Sequence, residues 1–116
     1  MGQQKKATPN AYQIRLSTNA TQNIDEITGY IAFINHEPVN AIKVGDQIYE
    51  TIDRIELNPL AFKECEELPT KAKIYRRAVC LSWLIIYRIK GLEIVILGII
   101  LRGRRPSRLK ALKKIR

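Results

Sequence analysis

Residues 83–100 read WLIIYRIKGLEIVILGII, and the way this stretch divides decides what kind of fold the chain can adopt. Lys90-Gly91 marks a tight turn between two β segments, Trp83–Lys90 and Leu92–Ile100. The run Ile94-Val95-Ile96-Leu97 does not alternate apolar with polar, so both faces of that strand are expected to be covered, as in a sheet interior. A third segment, Ile74–Cys80, precedes them and carries Arg76 and Arg77, which point to opposite faces of one strand. An antiparallel meander is the economical topology for the three.

Working toward the N-terminus, Tyr12, Ile14 and Leu16 alternate with Gln13, Arg15 and Ser17, the period of a half-buried edge strand. Asn19 with Gln22 three residues on offers a helix cap, after which Ile24, Ile27, Ile31 and Ile34 predict an amphipathic helix of four turns. Gly29 within it costs about 1 kcal/mol relative to Ala and is expected to permit close packing. A second helix starts at Pro38, where a first-turn proline sacrifices no hydrogen bond, and ends near Asn58-Pro59. Its stripe is Ala41, Val44, Ile48, Ile52 and Ile55. Only His36-Glu37 breaks the two helices, so they should form an antiparallel hairpin with both stripes on one surface.

Residues 58–73 show no sustained period and are expected to be a loop tacked down by Phe62 and Leu68. The fold class is therefore α+β: an N-terminal strand, an antiparallel helical hairpin on a twisted antiparallel β-sheet of about four strands, and a short basic C-terminal segment. Residues 1–10 are expected to be a flexible arm, 11–106 the domain, and 107–116 a basic extension. A single helical hairpin covers one face of the sheet. The C-terminal segment, a second copy or a partner chain must cover the other. Leu109, Leu112 and Ile115 give the C-terminal segment a short apolar stripe, too short to be a stable helix without a surface beneath it.

A chain of 116 residues, 46% hydrophobic and 27% charged, is one domain with enough apolar material for a core, which excludes disorder throughout and a multidomain enzyme. Cys65 and Cys80 lack zinc-site spacing and are read as reduced thiols of a cytoplasmic protein, Cys80 as a small buried apolar residue. The longest uncharged apolar runs, Ala78–Tyr87 and Ile94–Leu101, fall short of the roughly 20 residues that cross a bilayer. The first ten residues have no secretory-signal pattern. Asp25, Glu26, Asp46, Glu50 and Asp53 lie on polar helix faces and imply no metal, and no cofactor is expected. His36, in the helix turn, is read as an exposed polar residue, and Trp83 as a core or partner anchor.

Charge is distributed unevenly. Residues 1–73 hold 8 Lys/Arg against 10 Asp/Glu, whereas residues 74–116 hold 12 against 1, so the net charge of +9 is entirely C-terminal. From Arg102 onward there are eight basic residues and no acid. Such a density attracts polyanions, either phosphate backbone or an acidic protein.

The order of strand, helical hairpin, loop, three-stranded meander and basic end also carries familiar wording. YIAFINHEPVNAIKVGDQIYETIDRIELNP is followed by YRRAV, WLIIYRI and LEIVILGII, and then by an Arg-x-Pro at Arg104 and Pro106. Over roughly residues 12–106 the chain resembles the RelE/ParE superfamily of bacterial type II toxins. The resemblance implies a growth-arresting toxin neutralised by a cognate acidic antitoxin, in a homodimer or a hetero-oligomer with that antitoxin. RelE-like members cut mRNA in the ribosomal A site and ParE-like members poison DNA gyrase, and one fold serves both.

In many relatives a His-x-x-Arg-x-Pro pattern follows the last strand; aligned on Arg104 and Pro106, that His position holds Leu101. For ribosome-dependent mRNA cleavage the resemblance points to Arg77, Tyr87 and Arg104 as catalytic. Arg76, Arg88, Arg102, Arg105, Arg108 and Lys110 would bind nucleic acid. Cleavage through a 2′-hydroxyl needs a proton acceptor, cations at the phosphorane and an acid for the leaving oxygen. Tyr87 serves the first role only if nearby guanidinium groups lower its pKa from about 10. The basic strands and tail favour mRNA as the target, which makes ribosome-dependent mRNA cleavage the first reading and gyrase inhibition the second. The missing His and the long helical hairpin favour gyrase, and a non-catalytic nucleic-acid-binding module is the third reading.

Overall fold

A computed structural model describes residues 11–103 and 106–116. The elements in chain order are β1 (Gln13–Leu16), α1 (Thr18–Gly29), a π-helical turn (Tyr30–Ile34), α2 (Pro38–Leu57), a 3-10 turn (Pro59–Ala61) and β2 (Lys63–Glu64). There follow β3 (Tyr75–Cys80), β4 (Trp83–Lys90), β5 (Glu93–Leu101), α3 (Pro106–Ala111) and a 3-10 turn (Leu112–Lys114). The expected arm over residues 1–10 lies outside the described residues. No helix among the described residues is long and apolar enough to cross a membrane.

The α+β class and the hairpin on a sheet match the sequence, but the sheet differs in two respects. It has five strands, in the order β1-β5-β4-β3-β2, and it is not wholly antiparallel, because β1 runs parallel to β5 with Gln13 opposite Glu93 and Leu16 opposite Ile96. Periodicity identifies a strand but not its partner, and the helices and meander between β1 and β5 supply the long crossover that parallel pairing needs. The additional strand, β2, is a two-residue edge inside the expected loop, pairing Lys63 with Arg77 and Glu64 with Arg76. Lys90 pairs with Glu93, so the turn residues are Gly91 and Leu92, with Gly91 at φ +60°, one position later than expected.

Ile94, Val95, Ile96 and Leu97 are each fully buried, as their unbroken apolar run requires. On one face Ala78, Cys80, Ile85, Tyr87, Ile94, Ile96 and Ile99 pack against the helical stripe of Ile24, Ile31, Ala41, Val44, Ile48, Ile52 and Ile55. On the other, Tyr75, Leu84, Ile86, Val95 and Leu97 pack against Cys65 and Leu68 of the loop and against Leu109 and Leu112. The chain's own C-terminal segment therefore takes the covering role that the sequence left open.

The junction of β5 with α1 is held by polar side chains. A bulge between Ile86 and Tyr87 on one side and Gly98 and Ile96 on the other leaves Leu97 as the extra residue of β5. The N-cap of α1 is Ser17, not Asn19: its Oγ accepts from the Ala20 N–H at 3.0 Å and donates to the Leu97 carbonyl at 2.9 Å. Asn19 donates to the same carbonyl at 3.0 Å, and the Ile99 N–H donates to Asn23 Oδ1 at 2.9 Å. Backbone groups freed by the bulge are thus satisfied without water. A Cβ on Gly98 would lie 2.8 Å from Asn19 Nδ2 and 2.9 Å from Leu112 Cδ2. Gly29, by contrast, has nothing within 4 Å of where a Cβ would stand, so the expected close packing there is not found.

Helix α1 ends in a distortion that periodicity does not reveal. Ile24 and Ile31 are buried, but Ile34, the last member of the predicted stripe, is 62% exposed. Tyr30–Ile34 follow a π-helical path, and the Asn35 N–H donates to the Tyr30 carbonyl five residues back at 3.1 Å. The wider turn breaks the phase of the stripe and carries Ile34 off the core face.

Replacing Gly98 by Ala should force Asn19 and Leu112 aside and destabilise the fold by about 1–3 kcal/mol. Ser17→Ala should cost about 1–2 kcal/mol through the lost cap and the weakened support of the Leu97 carbonyl. Urea unfolding measures both. Because the two sites share that carbonyl, the double variant should depart from additivity.

Candidate functional site

Directly opposed residues of paired strands share a face, and this rule sorts the predicted site residues. Arg77 stands opposite Ile86, Arg88 opposite Val95, and Val95 opposite Arg15. Ile86 and Val95 belong to the core beneath the C-terminal segment, so Arg15, Arg77 and Arg88 gather on that face. Arg88 Nη1 donates to the Ile115 carbonyl at 2.8 Å, while its buried Nε has no partner among the described residues. Arg15 Nη1 donates to the Arg116 carbonyl at 3.2 Å, and its Nε lies 3.4 Å from Glu93 Oε2. Lys113 Nζ lies 6.0 Å from the Tyr75 ring centroid. Arg102, Arg108 and Lys110 are exposed. Arg104 and Arg105 lie outside the described residues.

Tyr87 belongs to the other face. It is fully buried in the helical core, its ring meets Phe62 edge to face at 6.3 Å, and its hydroxyl donates to the Pro59 carbonyl. Burial pushes the phenol well above its ordinary value of 10, and the opposing pull of the Arg76 charge is the smaller effect. The condition under which Tyr87 would exchange protons, a lowered pKa, is therefore reversed. With the sheet between Tyr87 and Arg77, the expected catalytic group is not assembled from these two.

Arg76 lies on the Tyr87 face. Its Nη1 donates to the Phe62 and Leu60 carbonyls at 2.9 and 3.2 Å and its Nε to the Lys73 carbonyl at 3.3 Å. It clamps the loop that caps Tyr87. Leu101, at the position where the resemblance implies a His, is 41% exposed and adds no titratable group.

His36 is exposed at φ +57° in the helix turn. Cys65 and Cys80 are free and buried. Burial, then the neighbouring Glu67 carboxylate, push the Cys65 thiol up to about 11, so it is a poor nucleophile. Among the described residues no cluster of metal-ligating side chains occurs.

One surface feature went unread in the sequence. At the turn end of the hairpin Tyr30, Phe33, Ile34, Val39 and Ile42 are 58–76% exposed. Beside them is an open notch of about 430 Å³ lined by His36, Glu37, Pro38, Val39, Asn40 and Lys43. Residues 24–50 carry five Asp/Glu and one Lys, so this end is acidic on a basic protein. The available signal was that Tyr30, Phe33, Val39 and Ile42 are large apolar residues lying off both core stripes.

A family model described as the ParE toxin of the type II toxin-antitoxin system, parDE, matches residues 14–106. Among solved structures the chain is similar to one from the chromosomal ParDE toxin-antitoxin system of P. aeruginosa, with TM-score 0.62, 21% identity, and 79% of this chain and 97% of that one covered. It is also similar to one from the RelBE2 toxin-antitoxin complex of Mycobacterium tuberculosis, with TM-score 0.52, 19% identity, and 79% and 99% covered. A search of curated proteins finds no match.

Tyr87→Phe should destabilise the protein by about 1–3 kcal/mol, because the buried Pro59 carbonyl loses its donor. Cys65 binds its proton more tightly folded than unfolded, so its contribution to stability is complete below about pH 9 and is lost as pH rises through about 11. Denaturant midpoints across that window should fall, and Cys65→Ala should flatten part of the decline.

Proposed function

The chain belongs to the ParE toxin family of type II toxin-antitoxin systems, the family model spanning residues 14–106, and from that premise we propose that it arrests growth by binding DNA gyrase instead of cutting mRNA. The observation that carries this reading is the burial of Tyr87 with its pKa raised, across the sheet from Arg77. Hydrolysis of RNA by proton transfer requires a group that gives and takes protons near neutral pH within reach of the phosphate. On the basic face the guanidinium and ammonium ions stabilise negative charge but do not accept a proton, Glu93 is paired with Arg15, and Tyr75 is buried with Lys113 over its ring. Inhibition by binding needs only a complementary surface, which this protein can provide without a hydrolytic centre.

The toxins of the ParDE and RelBE2 structures come from toxin-antitoxin systems, and we extend an antitoxin partner to this chain. A net charge of +11 over residues 74–116 suits an acidic one, and the same face could meet DNA held by gyrase. The second reading, ribosome-dependent mRNA cleavage, draws on one observation: Arg77 and Arg88 share a face with the basic C-terminal segment.

Purified toxin should inhibit gyrase-catalysed supercoiling, and cells expressing it without antitoxin should filament and accumulate DNA breaks. Co-expression of the antitoxin should restore growth. Primer-extension mapping of transcripts in arrested cells should show no codon-phased breaks; such breaks, together with their loss in Arg77→Ala, would establish the mRNA reading instead.

A further inference from the structure

We propose that the turn end of the helical hairpin, built from Tyr30, Phe33, Ile34, Val39 and Ile42, is the surface with which the protein grips its target, and that it fits an apolar depression ringed by lysine and arginine. The identity of the target rests on the gyrase reading above; the assignment of the surface rests on the hairpin itself.

The first support is exposure. Phe33 is 76% exposed, Val39 and Ile42 66% each, Ile34 62% and Tyr30 58%, all within thirteen residues that double back on themselves at His36-Glu37. Single exposed hydrophobic residues are ordinary, but a contiguous group of large ones marks a contact surface. Aromatic residues are enriched at interface cores, and this group presents two, Tyr30 and Phe33.

The second is the π-helical turn. Had α1 kept an α-helical path, Ile34 would have continued the core-facing stripe of Ile24, Ile27 and Ile31. The turn over Tyr30–Ile34 carries Ile34 out to solvent instead. π-Bulges are rare and concentrate at functional sites, and this one acts on a residue whose periodicity assigns it to the core.

Charge selects the occupant. At the turn itself Glu37 and Lys43 cancel, but Glu26 and Asp46 stand one helical turn from Tyr30 and Ile42 and flank the apolar group with acid, within a stretch, residues 24–50, of net charge −4 on a protein of +9. A nucleic acid would be repelled there, whereas a protein surface bearing lysine and arginine would be attracted. The basic rim of an enzyme that handles DNA has that chemistry. A symmetric second copy would bring Glu37, Asp46 and Glu50 against their own equivalents, which like-charge repulsion disfavours. The chain's own basic segment is engaged on the far side of the sheet.

The experiment expresses full-length wild type, Phe33→Ala/Ile42→Ala, Glu37→Lys/Asp46→Lys, and Leu57→Ala as a control, a still more exposed apolar residue at the other end of α2. Growth arrest, gyrase inhibition, melting temperature, sedimentation mass and antitoxin rescue are read for each. With melting temperatures unchanged, the apolar double variant should lose growth arrest and require at least about tenfold more protein to inhibit supercoiling. The charge-reversed variant should weaken several-fold, and Leu57→Ala should behave as wild type.

Arrest by the apolar double variant at wild-type level overturns the assignment. So does a wild-type dimer that this variant dissociates, which would make a second copy the occupant, or full toxicity with lost antitoxin rescue, which would give the surface to the antitoxin. If wild type arrests growth but leaves supercoiling intact, the gyrase reading falls and the growth assay alone judges the surface. A wild type that does neither overturns both.

Discussion

A strand with no polar side has to be hidden twice, and most of this molecule follows from hiding β5. Ile94, Val95, Ile96 and Leu97 are all fully buried, so the sheet needs a layer on each face. Helices α1 and α2 provide one. The other is assembled from the loop residues Cys65 and Leu68 and from Leu109 and Leu112. A segment rich in lysine and arginine is thereby drawn onto an apolar surface, with its leucines inward and Lys110, Lys113 and Lys114 exposed. The arrangement concentrates positive charge on one side of the sheet and leaves the acidic helices on the other. The polarity of the protein is thus a by-product of closing its core.

Much of the fold was legible because it rests on apolar spacing. The stripe of α2, its proline start, the edge position of β1, the meander and the two-sided burial of β5 all followed from residues read in order. What escaped was long-range or local in a way that periodicity does not encode. The parallel partner of β1 lies eighty positions away, at Glu93 to Ile96. Strand β2 is two residues long. The true cap, Ser17, is two residues before the predicted cap Asn19, and the π-helical turn leaves no mark in a pattern of apolar residues.

The site was less legible than the fold. Sequence separates Arg76 from Arg77 onto opposite faces but does not say which layer covers each face. That distinction converted Arg76 into a loop clamp with three carbonyl partners and Tyr87 into a core residue bonded to Pro59. A tyrosine on a strand has an apolar ring and a polar tip, and only the neighbouring layer decides which of them governs its place. The exposed apolar group at the hairpin turn was hidden for another reason: Ile34 fits the core stripe of α1 by spacing, while Tyr30, Phe33, Val39 and Ile42 lie off both stripes and form a group only once the hairpin doubles back.

The parallel pairing of β1 with β5 has a consequence for synthesis. Its first strand waits for a partner that leaves the ribosome only after some eighty further residues have been made. The helices can form early, but the apolar strip they present has no sheet to cover it until translation is nearly complete. Through that interval the nascent chain exposes adhesive surface while its rigid scaffold is still missing. The order of manufacture thus places the period of greatest exposure before the chain leaves the ribosome.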